Sequence, residues 1–273
     1  MTDRPTRPPR PSHILRVVAT EWLSPHLVRV RARGERLEAF RESPHTDAYV
    51  KITFVKPELG LEPPYDLATL RETLAPEDLP VTRTYTVRAV DGDEMTIDFV
   101  VHGDEGLAGP WAARAQPGDR LVVSGPGGGY APDPTADWHL FVGDESAIPA
   151  IAASLEALPR DAVGAAFVEV QRPGEHIALS APAGVAVTWV HRGDAEAGAT
   201  SVLVDAVAQW HPLEGRGQVF AHGEREAMKA MRDLVFTRWG LDRAQVSLSG
   251  YWAYGRTEDR FQAEKHEPIG KIL

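Results

Sequence analysis

The chain contains no cysteine. Disulfides, zinc–thiolate sites, iron–sulfur clusters and thiol nucleophiles are therefore excluded together, and any electron transfer requires an organic cofactor. Apolar runs of about 18 residues are also absent, so no transmembrane helix is expected. Residues 1–13 hold four prolines and three arginines but no apolar h-region, which reads as a disordered leader rather than a secretory signal. A cytoplasmic location is the expectation. Positive charge is in short supply: 29 Lys and Arg against 39 Asp and Glu give a net charge of -10. Nucleic acid needs a broad basic field and is disfavoured as a partner, whereas a small anion in a local basic pocket is not. The ten histidines include no HxxxH or HExxH spacing, so no metal site is indicated.

What is present divides into two halves. At 273 residues, 43% hydrophobic and 25% charged, the chain has material for two ordinary domains. Segments 14–21, 26–32, 49–55, 82–90, 94–101 and 120–124 are β-rich, and several alternate in polarity. Six strands with little helix predict a small antiparallel barrel, interrupted by 56–81, where leucines at 67, 70 and 74 fit a short helix. A Gly/Pro cluster over 125–134 marks a boundary, giving domains 14–130 and 131–273. Beyond it, strands at 138–142, 163–170, 185–190, 218–221 and 245–249 alternate with helices at 147–158, 201–209 and 224–239. That order predicts a Rossmann-like parallel sheet with helices on both faces, which binds ligands at the carboxyl ends of its strands.

The fourth strand carries Arg83-Thr84-Tyr85-Thr86-Val87-Arg88. Alternation puts Arg83, Tyr85 and Val87 on one face and Thr84, Thr86 and Arg88 on the other. An arginine that forks onto a phosphate, beside a tyrosine ring, suits a flavin dinucleotide; a solvated surface strand fits these six residues equally well. After the fifth strand, His102-Gly103-Asp104-Glu105-Gly106-Leu107-Ala108-Gly109-Pro110-Trp111-Ala112 leads into a short helix. Its N–H groups suit a phosphate, or the segment is an ordinary turn with Trp111 in the core. Gly143-Asp144-Glu145-Ser146 follows the first strand of the second domain, with Ser146 placed to cap the next helix. G-x-G-x-x-G is missing there, and Asp144 and Glu145 would repel a pyrophosphate. They suit ribose hydroxyls, or merely complement the helix dipole. His222 lies at a strand end, and Tyr251-Trp252-Ala253-Tyr254 forms an aromatic cluster, either cover for a flat cofactor or packing between domains.

In order along the chain, Arg-x-Tyr-Thr-x-Arg at 83–88, His-Gly-Asp-Glu-Gly with Trp111-Ala112, Gly-Asp-Glu-Ser-Ala-Ile-Pro-Ala-Ile at 143–151 and Gly-Tyr-Trp at 250–252 resemble the siderophore-interacting protein family. These are FAD-dependent ferric-siderophore reductases within the ferredoxin-reductase-like flavoenzymes. The resemblance implies an FAD-binding barrel in which Arg83 holds the pyrophosphate, Tyr85 stacks on the isoalloxazine and Thr86 lies beside its reactive nitrogen. Arg88, Val100, His102, Gly106, Ala108, Trp111 and Ala112 complete that implied cofactor site. It further places a nicotinamide nucleotide beside Asp144, Glu145, Ser146, His222 and Glu224, and an anionic ferric siderophore against Lys51 and Arg256. The implied chemistry needs no protein acid or base. NADH or NADPH delivers two electrons, Fe(III) accepts one, and a flavin bridges the two. Fe(II), with less charge, is held less tightly by hard oxygen ligands, so iron is released. A monomer is expected, with a ferredoxin as another donor. Glu169-Val170-Gln171-Arg172 offers an acid for a ribose hydroxyl and an arginine for a 2′-phosphate, so NADH against NADPH stays open. Other acceptors (a ferredoxin, a quinone, free flavin) and a non-catalytic siderophore-binding role also stay open. Residues 256–271 balance four basic against four acidic side chains and supply no net positive field.

Overall fold

The computed structural model describes residues 11–104 and 106–273. Strands β1 (Ser12–Ser24), β2 (Leu27–Arg33), β3 (Tyr49–Phe54), β4 (Val81–Asp91), β5 (Glu94–Val100) and β6 (Arg120–Gly127) close an antiparallel barrel in the order β1-β2-β5-β4-β3-β6. Period-two burial drives the closure: Leu15 and Val17, Val28 and Val30, Val50 and Ile52, Ile97 and Phe99, Leu121 and Val123 all enter one core. Ser12 and His13, read from sequence as leader, are strand, because they pair with Ser124 and Val123 of β6. Residues 1–10 of that leader lie outside the described residues. Short helices α1 (Glu38–Arg41), α2 (Leu67–Thr73) and α3 (Ala108–Arg114) occupy the connections.

In the second domain β7 (Trp138–Gly143), β8 (Val163–Val170), β9 (Gly184–His191), β10 (Gly217–Glu224) and β11 (Val246–Trp252) form a parallel sheet in the order β11-β10-β7-β8-β9. Helix α4 (Ile148–Ala157) covers one face, while α5 (Val202–Gln209) and α6 (Arg225–Arg232) cover the other. The central strand β7 is buried throughout and divides its side chains, Leu140 and Val142 toward α5 and α6, Phe141 toward α4. Strand order reverses between β7 and β10, so a crevice belongs at their carboxyl ends.

Two elements depart from the sequence reading. The helix expected over 224–239 is α-helical only to Arg232 and then widens into a π-helical stretch, Asp233–Arg238. The wider turns keep Leu234 and Val235 buried while Trp239 packs on Trp210, ring centroids 5.8 Å apart. The charged tail contains helix α7 (Glu258–Glu264), capped by Thr257 and anchored by the buried Phe261. Glu264 is buried too, accepting hydrogen bonds from Arg225 at 2.5 Å and from Arg256 and Arg260 at 2.8 Å. The Arg225 hydrogen bond, followed by those of Arg256 and Arg260, holds its carboxyl down at about 2.

The domains share an apolar seam. Leu27 of β2 is buried with Tyr130, Phe141 and Ile148 in the core on the α4 side of the sheet. Polar ties flank it: Thr46 Oγ1 lies 2.8 Å from Ser154 Oγ, and the Arg88 guanidinium pairs with Glu156 of α4. Among the described residues no helix is long and apolar enough to cross a membrane. Leu27→Ala is expected to cost about 2–5 kcal/mol, the range for emptying a buried leucine site. Calorimetry should then show the barrel and sheet transitions separating; one unshifted transition would contradict a shared seam.

Candidate functional site

Strand β4 changes phase within the candidate motif. It pairs with β5 as Val87↔Ile97 and then Ala89↔Thr96, a β-bulge that leaves Arg88 as the extra residue. Upstream, Tyr85 rests on Phe99 with ring centroids 4.4 Å apart, and Phe99 packs on Trp111 of α3 at 5.7 Å. Burial pushes the Tyr85 hydroxyl upward, with Glu258 adding to it, so it stays neutral at physiological pH. Arg83 shares that face, its Nη1 donating to Asp259 at 2.8 Å and to the Thr82 carbonyl at 3.0 Å. Thr86 points the other way and is hydrogen bonded to Tyr251, which places it in the seam between the domains. Arg88, on Glu156, is drawn to the seam as well. The motif is thus split: Arg83 and Tyr85 form one surface, while Thr86 and Arg88 dock the second domain.

The turn after β5 borders the first surface. His102, Gly103, Asp104 and Gly106 are exposed, and a Cβ on Gly109 would lie 3.0 Å from the Val100 carbonyl oxygen, so α3 packs tightly on the end of β5. Ala108 and Ala112 are buried by that packing and Trp111 is half-buried, resting on Phe99 and Phe54. These residues fit a flavin nucleotide. Tyr85 keeps part of its surface open above an aromatic shelf, and beside it the Arg83 Nε–H has no partner among the described residues. Lys51 stands exposed on β3, opposite Thr84. Lys265, not among the sequence candidates, has its Nζ 4.5 Å from the Phe261 ring centroid, and desolvation first, then the Lys51 charge, push its ammonium below its ordinary range. Arg256, expected to face a siderophore, is instead bonded to Glu264.

At the sheet crevice the acids are bonded inward. Asp144 accepts from Ser146 N–H at 2.9 Å, Ser146 Oγ at 2.5 Å, Glu224 N–H at 2.8 Å and Trp252 Nε1 at 2.8 Å. It also caps the turn that precedes α4, the task sequence reading gave to Ser146, because the extended backbone at Asp144 directs its carboxylate onto the Ser146 N–H. Glu224 caps α6 and accepts from Tyr254 N–H. Glu145 meets Arg192 at 2.5 Å with both side chains buried, and Glu169 lies 3.8 Å from the same guanidinium. His222 bonds Tyr251 and Ser247 through its two ring nitrogens, at 3.0 and 2.9 Å. Burial pushes His222 down to about 3, so the link Ser247–His222–Tyr251–Thr86 is neutral. Close approach is possible only because of two glycines: a Cβ on Gly143 would sit 2.7 Å from the His222 carbonyl oxygen, and Gly223 has φ 154° with its Cβ position 2.6 Å from Asp144. No group of three or more His, Asp or Glu side chains gathers to hold a metal among the described residues.

Burial, reinforced by the charges of Asp144 and Glu145, pushes Glu169 up to about 7. Its unfolded value is about 4.3. The folded state therefore retains the proton longer than the unfolded state, and this group lowers stability progressively as pH rises from about 4.3 to about 7. Glu169→Gln removes that dependence. Its melting temperature should exceed the parent's at pH 8 and approach it near pH 5; a gap that does not change with pH would contradict the assignment.

Comparison with known proteins gives this geometry a lineage. Residues 16–130 match the siderophore-interacting FAD-binding domain and residues 136–255 the siderophore-interacting protein domain. An uncharacterized protein of Mycobacterium tuberculosis is 47% identical over 94% of this chain and 96% of its own. The ferric vibriobactin reductase ViuB of Vibrio cholerae is 35% identical over 93% of each. The crystal structure of a siderophore utilization protein from T. fusca, 39% identical, superposes with a TM-score of 0.79 over 91% of this chain and 95% of that one. Likeness at this level along nearly the whole length is likeness by descent, and the chain belongs to the siderophore-interacting protein family of FAD-binding oxidoreductases.

Proposed function

We propose that the protein is an NADPH-dependent flavoprotein that reduces a ferric siderophore and releases Fe(II) in the cytoplasm, acting as a monomer. The observation that carries this reading is the surface made by Arg83 and Tyr85, a guanidinium with an open edge beside a ring on an aromatic shelf. The name of the Vibrio relative, a ferric vibriobactin reductase, supports the acceptor. Bound FAD would supply hydride acceptance and single-electron delivery. In this reading the chain's own side chains bind and orient. Arg83 holds the pyrophosphate, Tyr85 covers the flavin ring, and the exposed His102, Gly103, Asp104 and Gly106 border the phosphates. Lys51 and Lys265 attract an anionic chelate. Glu169 is buried against Arg192 and cannot reach a ribose, whereas Arg172 is exposed, with Asp194 3.7 Å away. That contrast favours the 2′-phosphate of NADPH.

The inward bonding of Asp144, Glu145 and Glu224 favours a second reading of the donor, in which a reduced ferredoxin supplies electrons and the crevice takes no nucleotide. Anaerobic stopped-flow separates the two. Yellow, FAD-loaded protein should bleach with NADPH faster than with NADH and recolour with ferric siderophores; bleaching by ferredoxin alone would select the second reading. Protein that takes up no FAD would refute both. Arg83→Ala should weaken FAD binding by about 1.5–3 kcal/mol, the value of a hydrogen bond to a charged group. Arg172→Ala should raise KM for NADPH and leave that for NADH unchanged.

A further inference from the structure

We propose that Asp259 is a positioning residue for the flavin: it fixes the Arg83 guanidinium so that its remaining fork faces the pyrophosphate. The proposal rests on the flavin reading above. Arg83 and Asp259 lie 176 residues apart and meet where α7 reaches the barrel. Nη1 donates to Oδ1 at 2.8 Å, Nη2 approaches Oδ2 at 3.4 Å, and the second Nη1 hydrogen goes to the Thr82 carbonyl at 3.0 Å. A guanidinium has five N–H groups. These contacts occupy its end, leaving Nε–H and one Nη2–H side by side without a partner among the described residues. Two parallel N–H groups on one edge match two phosphate oxygens.

A free arginine must be ordered when it binds, and that ordering weakens the complex. Here the order is built in. Thr257 caps α7, Phe261 is buried, and Glu264 is held by three guanidiniums, so Asp259 is presented from a fixed helix. The Asp259 side chain is 72% exposed and Arg83 only 16%. Water screens the carboxylate, so its repulsion of a phosphate is weak beside the attraction of the more buried guanidinium. The tail of balanced charge thereby acquires a task, to orient a cation of the first domain from the second.

The test measures FAD affinity and dissociation rate on the full chain. Asp259→Asn and Asp259→Ala should weaken FAD about three- to tenfold, the effect of one newly mobile side chain. Asp259→Glu should restore most of the loss, and the melting temperature of the flavin-free Asn variant should match the parent. In an Arg83→Ala background Asp259→Asn should have no further effect. Equal or tighter FAD binding by Asp259→Asn would overturn the proposal. So would an equal loss in both backgrounds, which marks a merely structural role. A parent that binds no FAD overturns the flavin reading and this proposal together. A parent that binds FAD, loses it with Arg83→Ala and ignores Asp259→Asn overturns this proposal alone.

Discussion

A single buried carboxylate holds the working edge of the sheet together. Asp144 receives donors from the turn after β7, from the backbone at the end of β10 and from the Trp252 indole at the end of β11. In a doubly wound sheet the strands part at this point, and the gap is normally where a ligand enters. Here the gap is bolted from inside. With Trp252 fixed, the chain turns through Tyr254, whose N–H bonds Glu224, into Arg256 and then α7. The geometry of Arg83 on the barrel is therefore set, link by link, from the far end of the other domain.

The charges around that carboxylate are poorly balanced. Asp144, Glu145, Glu169 and Glu224 are buried in one region, and Arg192 is the guanidinium that faces Glu145 and Glu169. Charges removed from water are tolerated only when paired or hydrogen bonded, and the group with the poorest contact, Glu169, is the one whose proton is held longest. The neutral chain from Ser247 through His222 and Tyr251 to Thr86 crosses the seam without adding charge. Cationic edges thus lie on the barrel side, whereas the crevice is acidic, with Asp144, Glu145 and Glu224 bonded inward.

Periodicity made the architecture readable. Strands such as β2 and β3 alternate in burial and the central β7 is buried throughout, and those signals are local. Helix α7 escaped because its only marks are a threonine cap, two acids and one phenylalanine in a charged run. The role of Asp144 was read toward ribose because its donors, Glu224 and Trp252, are 80 and 108 residues away, beyond any local pattern. The family resemblance implies ligand contacts for Arg256 and Arg88, and tertiary packing supplies each with a carboxylate partner, Glu264 and Glu156. The shared strand face of Arg83 and Tyr85 was legible from alternation, whereas the bulge beside them adds one residue and carries no composition signal.

That bulge has a further meaning. Upstream of it β4 places odd-numbered residues, Tyr85 and Val87, against the barrel core; downstream the even-numbered Val90 takes that place. The strand is therefore two half-strands out of register by one position, the upstream one carrying Arg83, with Arg88 as the extra residue between them. Losing or gaining a single residue here would send the downstream side chains to the opposite face. Chain length between Val87 and Ala89 is thus a constraint as strict as residue identity, and related chains should differ here by substitution far more readily than by insertion or deletion.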